Sequence, residues 1–85
     1  MELASSPDQS LAQTQRRLGY MFYTGQGVPQ DYSQALHWFL LAAHQGDAVA
    51  QINIGHMYEK GQGVSQDYVQ AQKWYSLPSQ SSPSH

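Results

Sequence analysis

Four histidines, six carboxylates and a glycine-rich hexapeptide, GQGVPQ from Gly25 to Gln30, are the parts from which this 85-residue sequence would have to build any chemistry. Imidazoles and carboxylates brought together make metal sites. A serine with a histidine and an acid makes a nucleophile, and a glycine-rich turn before a helix cradles phosphate. The spacing argues against each. His37 and His44 are seven residues apart, about 10.5 Å along a helix, and no histidine pair has the four-residue interval with which one helix chelates zinc. GQGVPQ has Gln30 where a dinucleotide fingerprint needs its last glycine, and it follows a helical pattern, not a strand. No Ser-x-x-Lys or Gly-x-Ser-x-Gly is present, and cysteine is absent, which removes thiolate ligands and disulfides together. A serine–histidine–acid arrangement would need Glu59 or an aspartate better used at a helix start. The expectation is a chain with no catalytic residue, no metal site and no cofactor.

The aspartates belong to the elements. Asp8, Asp31, Asp47 and Asp67 each stand at the expected start of a helix, where a carboxylate accepts orphan backbone N–H groups and complements the helix dipole. In the first segment Leu11, Thr14, Leu18, Met21, Phe22 and Gly25 recur at intervals of three and four, and Ser6-Pro7-Asp8-Gln9 has the form of a capping box with proline at the first helical position. Gly25 is the expected left-handed stop. Val28 before Pro29 turns the chain, Asp31 with Gln34 opens a second helix, Gly46 closes it, and Asp47 opens a third. Gly61, Val64, Asp67 and Gln70 repeat that punctuation before a fourth helix, which is expected to stop near Leu77 because Pro78 and the serine-rich tail follow. The fold class is therefore all-α, with four helices, the last of them shortened.

The punctuation repeats because the whole unit repeats. Shifted by 36 residues, so that Leu18 falls on Ile54, the segment LGYMFYTGQGVPQDYSQALHWFLL overlays IGHMYEKGQGVSQDYVQAQKWYSL with about half the positions identical. Gly19 and Gly55 fall inside the first and third helices, where glycine costs about 1 kcal/mol relative to alanine. With Ala35 and Ala71 at matching places in the partner helices, the expectation is close helix approach at these seams, the surrounding space being filled by Tyr32, Trp38, Tyr68 and Trp74. Leu36 and Leu40 of the second helix become Gln72 and Ser76 in the fourth, so the first pair is expected against the second unit and the latter pair in water.

The run L-G-x-M-[FY]-x-x-G-Q-G-V-x-Q-D-Y-x-Q-A-x-x-W, together with the closure at Ala42, Ala43, Gly46 and Asp47, resembles the Sel-1-like repeat, a relative of the tetratricopeptide repeat. The resemblance covers a first copy over residues 12–47 and a truncated second copy over residues 48–77, within a repeat domain of residues 6–77. It leaves residues 1–5 as a flexible amino terminus and residues 78–85 as a disordered tail. The resemblance implies an α/α solenoid of two antiparallel helix pairs that serves as an adaptor for protein–protein contacts.

Charge and composition agree with that class of partner. Net charge is −2, and the four basic side chains, Arg16, Arg17, Lys60 and Lys73, are too few for the basic stripe that nucleic acid requires. No run of about 18 apolar residues provides a membrane span, and MELASSPDQS has neither the basic start nor the apolar core of a secretory signal, which favours the cytoplasm. Recognition is expected where the two copies differ on the outer faces of the first and third helices: Arg17 against Asn53, Tyr20 against His56, Tyr23 against Glu59 and Thr24 against Lys60. These eight are the candidate partner-binding residues, since tyrosine, histidine and arginine join contact area to polar tips. The competing expectation is a homo-oligomer, because two units are fewer than the three or so that repeat proteins usually need and the flank around Leu11 and Leu18 is apolar.

Overall fold

The computed structural model describes residues 7–80. Four helices follow one another, α1 (Pro7–Thr24), α2 (Tyr32–His44), α3 (Ala48–Lys60) and α4 (Tyr68–Gln80), and no strand occurs among the described residues. α1 packs on α2 and α3 on α4, and the two hairpins join through α2 and α3. Residues 1–6 and 81–85 lie outside the described residues, and with them the expected flexible amino terminus, the cap at Ser6 and most of the expected disordered tail.

Local chemistry sets the helix boundaries. The Asp31 carboxylate accepts the Gln34 N–H at 3.2 Å, Asp47 accepts those of Val49 and Ala50 at 3.0 and 3.3 Å, and Asp67 accepts that of Gln70 at 3.1 Å. Gly25 and Gly61 end α1 and α3 in the left-handed region, at φ 80° and 71°, and the Gly25 N–H donates back to the Met21 carbonyl. α4 runs to Gln80 instead of stopping near Leu77, so it is not shortened: its 13 residues equal those of α2. Pro78 lacks the N–H that would reach the Trp74 carbonyl. So close to a helix end this removes one bond and does not unwind the turn.

The glycine seams form as the sequence implies, but different aromatics fill them. Gly19 and Gly55 are both buried. A methyl group at Gly19 would stand 2.7 Å from Phe39 Cδ1, and one at Gly55 would stand 2.5 Å from Tyr75 Cε1, so each ring occupies the space of the missing side chain. Phe39 and Tyr75 are equivalent positions of the two units, and Phe39 is fully buried with Ala35, Ala42, Ala50, Ile54 and Met57. Tyr32 and Trp74 pack against this core from its edge, whereas Tyr68 is 62% exposed and fills nothing. The inner face of α1 is likewise displaced from the expected one: Ala12 and Gly19 are buried, while Leu11 and Thr14 are exposed. Leu36 and Leu40 are half-buried on the core, and Gln72 and Ser76 face water.

The repeated glycine loop serves as the joint between hairpins. Tyr23 donates its hydroxyl proton to Gln62 Oε1 at 2.8 Å, and Gln62 Nε2 donates to the Tyr32 hydroxyl at 3.3 Å. Gly63 lies so close to Tyr32 that a methyl group there would stand 2.9 Å from its carbonyl oxygen. The second loop is thereby clamped between two tyrosines of the first unit, whose rings are 5.3 Å apart.

Candidate functional site

Because the packed helix pairs are α1 with α2, α2 with α3, and α3 with α4, the helices α1 and α3 flank a groove instead of closing on each other. α1 lends it Gln13, Arg16, Arg17 and Tyr20, at the three-and-four spacing of one helix face, and α3 lends Val49 and Asn53. The hollow between them has a volume of about 520 Å³. A second hollow of about 210 Å³ continues from it along the same two helices, lined by Tyr20, Tyr23, Phe39, Asn53, His56 and Lys60. Tyr20 and Asn53 belong to both, so the two form one surface.

Of the eight residues expected from the sequence, six line this surface: Arg17, Tyr20, Tyr23, Asn53, His56 and Lys60. Arg17, Tyr20, His56 and Lys60 are exposed, Tyr20 by 49%, and Asn53 is half-buried. Tyr20 stacks on Tyr23 with centroids 6.2 Å apart, which holds its ring at the groove. Tyr23 is itself half-buried and its hydroxyl is committed to Gln62, so it supports the surface more than it offers a polar tip. Thr24 and Glu59 are not among the lining residues. The Thr24 hydroxyl donates to the Tyr20 carbonyl at 2.9 Å, and Glu59 accepts from the Tyr75 hydroxyl at 2.5 Å.

Sequence reasoning missed Gln13, Arg16, Phe39 and Val49. Arg16 Nε donates to Asp47 Oδ2 at 2.8 Å while the other oxygen of that carboxylate caps α3, so one aspartate starts a helix and ties α1 to it. The spacing of Gln13, Arg16, Arg17 and Tyr20 was a signal of one face, but only once the inner face of α1 is known to run through Ala12 and Gly19. His56 Nδ1 lies 2.9 Å from the Tyr75 hydroxyl. That phenol's pKa is pushed up to about 12, first by burial, then by its hydrogen bond to Glu59 and the charge of that carboxylate. Among the described residues no three histidine, aspartate or glutamate side chains gather to hold a metal, and no helix is long and apolar enough to cross a membrane.

With the geometry in view, similarity to known proteins is informative. The family model described as Sel1 repeat matches residues 12–47 and again residues 48–77. A Sel1 repeat protein from Oxalobacter formigenes, known from its crystal structure, is similar at 42% identity and a TM-score of 0.81 over 89% of this chain. A protective antigen present in uropathogenic Escherichia coli strains, which displays an SLR fold, is similar at 39% identity and a TM-score of 0.80 over 87% of this chain. This chain spans 32% of the length of the first and 16% of the second. No curated protein matches the sequence significantly. Sel1 repeats are in general protein-interaction scaffolds rather than catalysts. Two matched copies covering most of the residues, on a fold shared with solved members, establish that this chain belongs to the Sel1 repeat family.

Proposed function

We propose that this chain is a non-enzymatic interaction module that takes a peptide or protein segment in the groove between α1 and α3. One observation carries the reading: a continuous hollow along both helices, lined by an exposed tyrosine, Tyr20, together with Arg17 and Asn53. Half-exposed tyrosine held by stacking loses little rotamer freedom on binding and brings both area and a hydroxyl. Arg17 adds a planar donor set suited to carboxylates or carbonyls. Three of the four basic side chains, Arg16, Arg17 and Lys60, line the groove. Of these, Arg16 is paired with Asp47.

The test begins with peptides selected against the folded chain from a random-sequence displayed library, their affinities then measured by calorimetry. Tyr20→Ala and Arg17→Glu are each expected to weaken binding by about tenfold or more, the size of a contact that matters at an interface. Selected peptides that bind both variants as tightly as the parent would locate binding elsewhere and sink the proposal.

A further inference from the structure

The second unit carries a polar chain that the first lacks. The ring of Tyr75, seated over Gly55, delivers its hydroxyl to two groups one turn apart on α3: Glu59 Oε1 at 2.5 Å and His56 Nδ1 at 2.9 Å. A phenol has a single proton, and a carboxylate can only accept, so that proton goes to Glu59. Nδ1 of His56 must then supply the proton of the second bond. A neutral imidazole carries one N–H, which leaves Nε2 as a bare acceptor. Among the described residues Nε2 makes no hydrogen bond, and the side chain is exposed at the groove beside Asn53, Lys60 and Tyr20. The raised pKa of Tyr75, about 12, keeps the proton on the phenol through the neutral range.

We propose that Glu59 and Tyr75 hold His56 as the Nδ1–H tautomer, so that Nε2 is an acceptor in the α1/α3 groove and selects an extended peptide by one of its N–H groups. The proposal rests on the groove being the binding site. Asn53, three residues before His56 on α3, carries an amide that donates as well as accepts. Together the two match one residue of an extended chain, whose own N–H and C=O point to the same side, His56 taking the N–H and Asn53 serving the carbonyl. At the equivalent places the first unit has Tyr20, Tyr23 and Phe39, and phenylalanine has no hydroxyl to set up such a chain. The α1 side of this hollow therefore offers aromatic area and the α3 side a directed acceptor, so a bound segment meets different chemistry on its two flanks.

Long-range ¹H–¹⁵N correlation of the histidine side chains reads the tautomer directly, in the full chain at mildly alkaline pH, with His56→Gln supplying the assignment. The expected result for His56 is a protonated Nδ1 and an unprotonated Nε2. Glu59→Leu removes the acceptor, frees the phenol proton for Nδ1 and is expected to reverse the tautomer, whereas Tyr75→Phe releases it. A protonated Nε2 in the parent chain overturns the proposal, and so does an unchanged tautomer in a folded Glu59→Leu chain. If that variant does not fold, the parent spectrum alone decides. These spectra need no ligand, so they stand or fall apart from the groove reading. For recognition, the probe is a library-selected peptide whose affinity falls with Tyr20→Ala. Its binding is expected to drop about tenfold in Glu59→Leu, the size of one exchanged hydrogen bond. Unaltered affinity alongside a reversed tautomer overturns the selection of an N–H.

Discussion

At the scale of single residues, two glycines do what no other side chain can. Glycine to alanine in a helix interior ordinarily gains up to about 1 kcal/mol. Here the sign reverses. Gly19→Ala would drive a methyl into the Phe39 ring, and Gly55→Ala would drive one into the Tyr75 ring while also standing 3.2 Å from the Ala71 carbonyl oxygen. Overpacking of this kind typically costs about 1–3 kcal/mol. Denaturant titration is expected to find both variants destabilised, Gly55→Ala the more so, because its neighbour includes backbone that cannot swing away. That variant should also separate Tyr75 from His56 and Glu59, visible as a change in the His56 ring signals. A gain in stability at either position would mean the helices are not held at this separation.

At the scale of elements, the joint between the hairpins depends on one amide. Gln62 is bonded to Tyr23 and Tyr32, so Gln62→Ala leaves two half-buried phenols without a partner and is expected to cost about 1–3 kcal/mol. Its equivalent in the first loop, Gln26, is exposed, and Gln26→Ala is expected to change stability by less than about 0.5 kcal/mol. Hydrogen exchange would localise the difference: faster exchange in α3 and α4 for Gln62→Ala, and no change for Gln26→Ala. Equal effects of the two substitutions would show that the loop repeats for its turn alone. The elements themselves were largely legible in the sequence, since caps at Asp31, Asp47 and Asp67 act within three residues and need no knowledge of the fold. Less legible was which aromatic fills a seam. Trp38 and Phe39 are adjacent, and one step along a helix turns a side chain by about 100°, so a pattern can identify the hairpin and still choose the wrong ring.

At the scale of the whole molecule, equivalent faces of α2 and α4 differ in chemistry. Leu36 and Leu40 are half-buried against the core, whereas Gln72 and Ser76, one repeat later, are exposed. A polar face in place of an aliphatic one is what a repeat needs where no further repeat covers it. Restoring the aliphatic pair with Gln72→Leu and Ser76→Leu is expected to raise the average mass in sedimentation equilibrium with increasing concentration, while leaving the helix content by circular dichroism unchanged. A variant with the same mass as the parent at every concentration would show that this face is not what limits stacking.

The chain alone determined the helices, their ends apart from that of α4, the duplication and the close seams at Gly19 and Gly55, because each follows from interactions between residues a few places apart or from identity between the copies. The tertiary structure decided which of the eight candidate residues line the groove between α1 and α3. Tyr23 is bonded to a residue 39 positions away and Glu59 to one 16 away, and both are thereby committed within the fold, while Arg16 and Val49 enter the groove. The physical reason is one of distance: a side chain's spacing says which face it occupies, but only the packed neighbour from elsewhere in the chain says whether that face is already spoken for.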